Sequence, residues 1–207
     1  MSKQLGFYIN SAACTNCRAC AIACKDKNSN PVGVNFRRVF LYGGGSWLYQ
    51  AGFMQPVNVF NYSVSLGCQH CVDPACIPAC PAAAISKDAN GIVSVNQDLC
   101  VGCRYCEWAC PYGTPQFDAS TGVMSKCDFC KDLLAKGENP ACVDACPMRA
   151  LEFGELSELQ AKYGTANSVE PLPTGAITSP SIVITPHKHA QISGTGNGRI
   201  LDLEKEV

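Results

Sequence analysis

The 207-residue chain has almost no net charge: 16 Lys and Arg stand against 17 Asp and Glu, a formal −1 at pH 7. That balance excludes a strongly basic or acidic surface as the means of finding a partner, so no nucleic acid is expected. A long apolar run is missing too. No stretch approaches the roughly 18 residues a membrane-spanning helix needs, so no direct membrane span is expected. Met1 to Asn10 lacks the charged lead and long apolar stretch of a secretory signal. Arg37-Arg38 is internal, with an aromatic, strand-like segment after it, and is no twin-arginine leader. No nucleotide loop or nucleophile constellation stands out, which argues against an enzyme with its own substrate site. What remains is a protein that works in the cytoplasm, or one that is exported bound to a signal-bearing partner.

What is abundant is cysteine: sixteen residues in four groups of four. The groups are Cys14, Cys17, Cys20 and Cys24; Cys68, Cys71, Cys76 and Cys80; Cys100, Cys103, Cys106 and Cys110; and Cys127, Cys130, Cys142 and Cys146. This is an internal repeat, and it takes precedence over local structure. Hydrophobic residues make up 47%, yet cysteine and alanine supply much of that share, as if cofactor replaced part of the core.

The first and third groups read C-x2-C-x2-C-x3-C. Pro81, Pro111 and Pro147 follow the last cysteine of the second, third and fourth groups. That is the bacterial ferredoxin run. Three cysteines two residues apart can wrap one cubane. The fourth, about one helical turn on, points away and ligates the other cluster of a pair. Proline there fixes the backbone angle and removes a donor. A zinc site explains paired C-x2-C but not four sets ending in C-x3-C. A disulfide framework needs an oxidising context and no such regular repeat.

Crossing predicts four 4Fe-4S clusters: Cys14, Cys17 and Cys20 with Cys146; Cys127, Cys130 and Cys142 with Cys24; Cys68, Cys71 and Cys76 with Cys110; and Cys100, Cys103 and Cys106 with Cys80. No catalytic residue is expected. The fold expected is α+β, two pseudo-symmetric bacterial-type 2x(4Fe-4S) ferredoxin domains with a β insertion and an extended C-terminal tail. Residues 1–56 and 118–163 form an outer domain, residues 57–117 an inner one, and residues 164–207 a partner-binding tail. Loaded with four oxidised cubanes and their thiolates, the protein gains a charge of roughly −8. Arg18, Lys25, Arg104, Lys126, Lys131 and Arg149 then make sense beside the motifs, although surface charge alone accounts for about half of them.

Between the groups, Asn90-Gly91 predicts a hairpin joining Ala84–Lys87 and Ile92–Val95. Asp118–Gly122 predicts a second, between Pro115–Phe117 and Val123–Lys126. Leu5–Ile9 and Ala150–Phe153 read as strands and Ser157–Tyr163 as a helix. In the insertion, residues 25–67, Phe36–Tyr42 and Val57–Leu66 read as strands, with Gly43–Gly45 starting their connection. The tail is rich in Gly, Pro, Ser and Thr, with one apolar run at Ile182–Ile184, and reads as either disordered or laid on a partner.

Several segments add a resemblance: Gly6-Phe7-Tyr8-Ile9, Cys20 to Asp26, Asn35-Phe36-Arg37-Arg38, Val101-Gly102-Cys103-Arg104-Tyr105-Cys106, Ala109-Cys110-Pro111-Tyr112-Gly113, Lys126-Cys127-Asp128 and Pro171-Leu172-Pro173. From about residue 5 to the tail the protein resembles the four-cluster electron-transfer subunits of molybdenum-dependent membrane oxidoreductases, and within them the iron–sulfur subunits of the anaerobic dimethyl sulfoxide reductase type. The resemblance implies a wire between a molybdopterin catalytic subunit and a membrane anchor that oxidises quinol. It implies a peripheral place in a membrane-associated complex, on the periplasmic side with a signal-bearing partner or on the cytoplasmic face. Nitrate reductase relatives carry tryptophan at one ligand position of the third group, which makes a three-iron cluster. All four positions are cysteine here. Related wires serving thiosulfate, polysulfide, tetrathionate or selenate reductases or formate dehydrogenase, and a free polyferredoxin, are the alternatives. Arg104 and Tyr105 are candidates to tune a cluster or merely to pack. His70, between two ligands of a complete group, is expected not to ligate. His187 and His189 are expected to face solvent or a partner rather than a metal.

Overall fold

The computed structural model describes residues 3–202. Met1, Ser2 and residues 203–207, which by sequence belong to the expected outer domain and tail, lie outside the described residues. In sequence order the elements are β1 (Leu5–Asn10), α1 (Ala19–Lys27), β2 (Arg38–Gln50), β3 (Phe53–Leu66), β4 (Ile85–Lys87), β5 (Val93–Val95), α2 (Tyr105–Ala109), β6 (Gln116–Asp118), β7 (Val123–Ser125), α3 (Lys131–Leu134), α4 (Ala141–Asp144), β8 (Leu151–Glu155), α5 (Leu156–Tyr163), β9 (Ile182–Thr185) and β10 (Arg199–Ile200). Short helices and short strands intermix throughout, an α+β arrangement.

β1 is apolar without alternation because it is covered on both sides: Leu5 through Ile9 are all buried. It is the middle strand of a three-stranded sheet, antiparallel to β8 and parallel to β9. The N-terminus is thereby held between two segments from the far end of the sequence. Gly6 is required there, since a Cβ would lie 2.6 Å from the Ser181 carbonyl oxygen. Beneath this sheet Phe129, fully buried, stacks on Phe7 at 4.2 Å and meets Phe153 edge-on at 6.1 Å. That aromatic cluster ties the loop after Cys127 to the paired strands β1 and β8.

The hairpins expected from turn chemistry form as two-stranded sheets, β4–β5 and β6–β7. Asp88 organises the first, its carboxylate accepting from the N–H groups of Asn90 and Ile92 at 3.0 and 2.9 Å.

Two expectations are corrected. The glycine run is not the connection in the insertion. β2 continues through it to Gln50, and the turn falls at Ala51-Gly52. The glycines serve a bulge instead. Pairing with β3 shifts register between Gly44 and Ser46, and a Cβ at Gly45 would sit 2.6 Å from the Asn58 carbonyl oxygen. The second correction concerns the tail, which threads back over the rest of the fold. It forms a 3₁₀ turn at Gly175–Ile177, supplies β9 to the central sheet and lays β10 against β2. The reason is the run Ile182–Ile184, every residue of which is buried beside β1.

Candidate cluster-binding sites

The four cysteine loops share a backbone device. In each, the residue just before the second cysteine has a positive φ: Asn16 at 58°, His70 at 43°, Gly102 at 68° and Phe129 at 66°. Only one of the four is glycine. A bulky residue in this region costs of order 1–3 kcal/mol and persists where the surroundings impose it. The left-handed turn directs successive N–H groups inward, making the kind of concavity that holds anions and iron–sulfur sites.

A second device sits after the fourth cysteine. Ala83, Gly113 and Arg149, each three residues on, also have positive φ, at 49°, 57° and 49°. The next residue then donates to the sulfur: Ala84 N–H to Cys80 Sγ at 3.2 Å and Ala150 N–H to Cys146 Sγ at 3.3 Å. At Cys110 the Thr114 hydroxyl lies 3.4 Å from Sγ. Other donors reach Cys100 (Met124 N–H, 3.3 Å), Cys127 (Phe129 N–H, 3.4 Å) and Cys24 (Asn28 Nδ2, 3.6 Å). Proline after the cysteine is legible in sequence. The φ of Ala83 and Arg149 has no such sign.

The cysteines face small cavities. One is lined by Cys14, Cys17, Cys20 and Cys146. A second is lined by Cys68, Cys71, Cys76 and Cys110. A third is lined by Cys80, Cys100, Cys103 and Cys106. In the remaining set Cys24 is influenced electrostatically by Cys127, Cys142 and Cys130. Each grouping joins three cysteines of one loop to the last cysteine of another. A separate surface depression, lined by residues such as Asn96, Asp98 and Asp118, contains no cysteine and is polar and open.

Burial pushes the thiol of Cys76 up to about 12 and those of Cys71 and Cys106 up to about 11, and neighbouring thiols add to the effect. Cys24 is raised by the same causes. Sulfurs so placed need metal to become thiolates, since a coordinating thiol is deprotonated outright. Among the described residues no three His, Cys, Asp or Glu side chains converge on a single-ion site. Four soft sulfurs spread around each cavity, with N–H donors aimed at them, fit a four-iron cluster with one thiolate per iron.

Two buried cations stand among the sulfurs. Arg37, 3% exposed, donates from Nη1 to Ser65 Oγ at 3.1 Å, and its guanidinium lies 4.7 Å from the Phe7 ring centre. Burial opposes its charge, but the sulfurs of Cys142, Cys20, Cys127 and Cys24 more than restore it. Lys126, 6% exposed, donates to the carbonyls of Val93 and Cys127. Burial opposes its charge too, and Cys68, Cys127 and Cys76 favour it, so its pKa is raised. Cys68 is the exception among the buried thiols. Burial pushes it up, but the charge of Lys126 and hydrogen bonding by His70 pull it below its ordinary value.

His70 is 1% exposed, with Nε2 buried and without a hydrogen-bond partner of good geometry. Burial disfavours its charged form, and the sulfurs of Cys68 and Cys127 pull its pKa upward. Nδ1 accepts from Val93 N–H at 3.1 Å, however, and a nitrogen that accepts carries no proton. We therefore take the ring as neutral with its proton on Nε2.

The other cations expected beside the motifs do structural work. Arg18 pairs with Asp202 at 2.6 Å. Lys25 donates to the carbonyls of Pro31 and Val34, Lys131 pairs with Asp88 at 2.9 Å, and Arg149 donates to the Asp144 carbonyl. Arg104 pairs with Glu107 at 2.8 Å and lies over Phe117, while Tyr105 packs obliquely on Trp108 at the surface. His187 stacks on Tyr62 at 5.8 Å and accepts at Nδ1 from His189 N–H. Sequence reasoning missed Arg37 as a cation. It also missed the strap of tail residues 178–181, which accepts from Val72 and Asp73 N–H and binds His70 O through Ser181 Oγ.

Comparison with known proteins adds identity to this geometry. Residues 59–156 match the family model for a 4Fe-4S dicluster domain. The sequence is 49% identical over 196 residues to the B subunit of anaerobic dimethyl sulfoxide reductase from Haemophilus influenzae, covering 95% of this protein and 96% of that one. It is 45% identical over 207 residues to the subunit of the same name in Escherichia coli K12, covering 100% of both. The B subunit of polysulfide reductase from Wolinella succinogenes is 38% identical over 196 residues, 93% of this protein and 99% of that one.

Proposed function

The protein belongs to the family of anaerobic dimethyl sulfoxide reductase B subunits, electron-transfer subunits carrying 4Fe-4S clusters, and from that premise we propose that it holds four clusters in a fixed line. Cys14, Cys17, Cys20 and Cys146 hold the first; Cys24, Cys127, Cys130 and Cys142 the second; Cys68, Cys71, Cys76 and Cys110 the third; Cys80, Cys100, Cys103 and Cys106 the fourth. The observation that carries this is the crossed lining of three cavities, each by three cysteines of one loop and one of another. Arg37 is shared by cysteines of the first two sets and Lys126 by cysteines of the middle two, which supports the linear order. The two pairs define pseudo-symmetric ferredoxin units, residues 57–117 inside and residues 1–56 with 118–163 outside, and the exposed face of the tail binds a partner.

When bound, each cluster takes up and returns one electron at a potential set by charge, hydrogen bonds to sulfur and exposure. The protein's own part is electrostatic and steric. Backbone N–H groups hold charge at the sulfurs, and buried aromatics and aliphatics exclude water. No side chain acts as acid, base or nucleophile. The partners are a molybdopterin catalytic subunit and a membrane anchor with a quinol site. No helix among the described residues is long and apolar enough to cross a membrane, and the protein sits peripherally, on the outer face with a signal-bearing partner. Dimethyl sulfoxide is favoured over polysulfide as the partner's substrate because identity is higher to the former type of relative.

Iron and acid-labile sulfide analysis of the complex purified anaerobically from membranes is the test. About sixteen iron atoms per subunit, four per cubane, are expected, with a molybdenum subunit co-purifying. Half that iron, or zinc, overturns the four-cluster reading. A subunit recovered alone and soluble overturns the complex.

A further inference from the structure

The two ferredoxin units meet at a joint built on one residue. Val93 N–H is taken by His70 Nδ1 at 3.1 Å, and the Val93 carbonyl accepts from Lys126 Nζ. Lys126 also donates to the Cys127 carbonyl at 2.8 Å. His70 and Val93 line the cavity of Cys68, Cys71, Cys76 and Cys110. Cys127 belongs to the neighbouring set. An ammonium group on a residue only 6% exposed therefore stands between sulfurs that serve two different clusters. Its hydrogen bonds go to the carbonyls of Val93 and Cys127 and to the Cys68 sulfur, and none of the salt bridges among the described residues includes it. The fourth set is built differently. Its cavity is lined by Ala82, Ala84, Ile85, Val95, Val101 and Met124 besides its cysteines, with no cation.

A buried lysine without a carboxylate partner is costly to desolvate unless anionic charge offsets it. Here the sulfurs of both sets, and the clusters they would hold, supply that charge. Their net negative charge grows as each takes up an electron, so a fixed positive charge between them favours the reduced form of both.

We propose that Lys126 is a potential-setting residue for the two central clusters together, raising both reduction potentials, which leaves the driving force across the joint unchanged and holds electrons on the central pair relative to the clusters at either end of the line. The step concerned is reversible: one electron leaves one central cluster as the other gains it, with no proton or bond changing hands. The inference rests on the four-cluster reading and its ligand sets.

The experiment is an EPR-monitored redox titration of the intact membrane complex, wild type against Lys126→Met, Lys126→Gln and Lys126→Arg. Signals are assigned with Cys130→Ser and Cys76→Ser. The charge-removing variants are expected to lower both central potentials by at least a tenfold change in reduction equilibrium, about 59 mV for one electron. The potentials of the clusters at the two ends of the line, those of Cys14 and of Cys100, should stay in place, and Lys126→Arg should stay near wild type. Lys126→Gln keeps most of the polar stem and serves if the methionine variant does not fold. Loaded variants with unmoved central potentials, or with all four moved alike, overturn the proposal and leave the four-cluster reading intact. A wild-type complex lacking a cluster at either central set overturns the reading and the proposal with it.

Discussion

The inner and outer cysteine sets use the same loop chemistry but close in opposite ways. The inner sets cross between Cys68 and Cys110, within one stretch of sequence, and are walled by small hairpins and an apolar cluster of Ile85, Val93 and Met124. The outer sets cross between Cys14 and Cys146, and a sheet must bring those ends together. The large apolar core gathers around that sheet, with Phe7, Phe129 and Leu151 joined by Ile184 from the tail. The inner sets draw their cysteines from one stretch of sequence, with remote help only from the tail strap that braces the loop of Cys68 and Cys71. A pair whose ligands are remote needs tertiary packing to exist at all.

That contrast can be broken at the ligands first. Cys146→Ser should cost the cluster of Cys14, Cys17 and Cys20 and leave the inner pair intact, while Cys110→Ser should cost the cluster of Cys68, Cys71 and Cys76. EPR spin counting of the reduced complex checks both, and loss of a variant's own group instead would refute the crossing. Next in size is the packing. Phe129 is fully buried, so Phe129→Ala should destabilise the outer unit by about 3–5 kcal/mol, read by thermal unfolding and cluster bleaching.

Smaller again is the latch at Asp202, which accepts from Leu41 N–H at 2.9 Å, from Asn16 and from Arg18. Asp202→Ala leaves these donors unmet and should cost about 1–3 kcal/mol. Burial raises the Asp202 pKa, but those donors outweigh it and hold it below 3.8. A depressed folded value means the contribution is complete above about pH 4 and is lost only as pH falls through it. The loss in Asp202→Ala should therefore be the same at pH 6 and pH 8. Smallest is Arg104→Gln: with its partner Glu107 at the surface, neither the unfolding midpoint nor any cluster potential should move measurably.

The four cysteine groups were legible because motif spacing is a local property. So were the β4–β5 hairpin, announced by Asn90-Gly91, and α5, read one residue short of its start at Leu156. Three features were not legible, for distinct reasons. Gly43–Gly45 looked like a turn because glycine serves close strand approach and bulges as readily as loops. The tail looked unstructured because its composition is polar, and its order comes from β1, which accepts Ile182–Ile184 as a neighbour. Arg37 and Lys126 gave no sign of burial because nothing in a sequence tells a solvated cation from one enclosed by sulfur.

The placement of β1 has a consequence in time. A nascent polypeptide emerging from the ribosome presents Cys14, Cys17 and Cys20 first, yet the strand beside them has no partner until Leu151–Glu155 and Ile182–Thr185 have been made. Cys68 through Cys110, by contrast, can gather as soon as they appear. The order of synthesis is thus the reverse of the order in which the packing around the first cysteines can close: the strand leading into Cys14, Cys17 and Cys20 must wait for nearly the whole polypeptide before it gains a neighbour on either side.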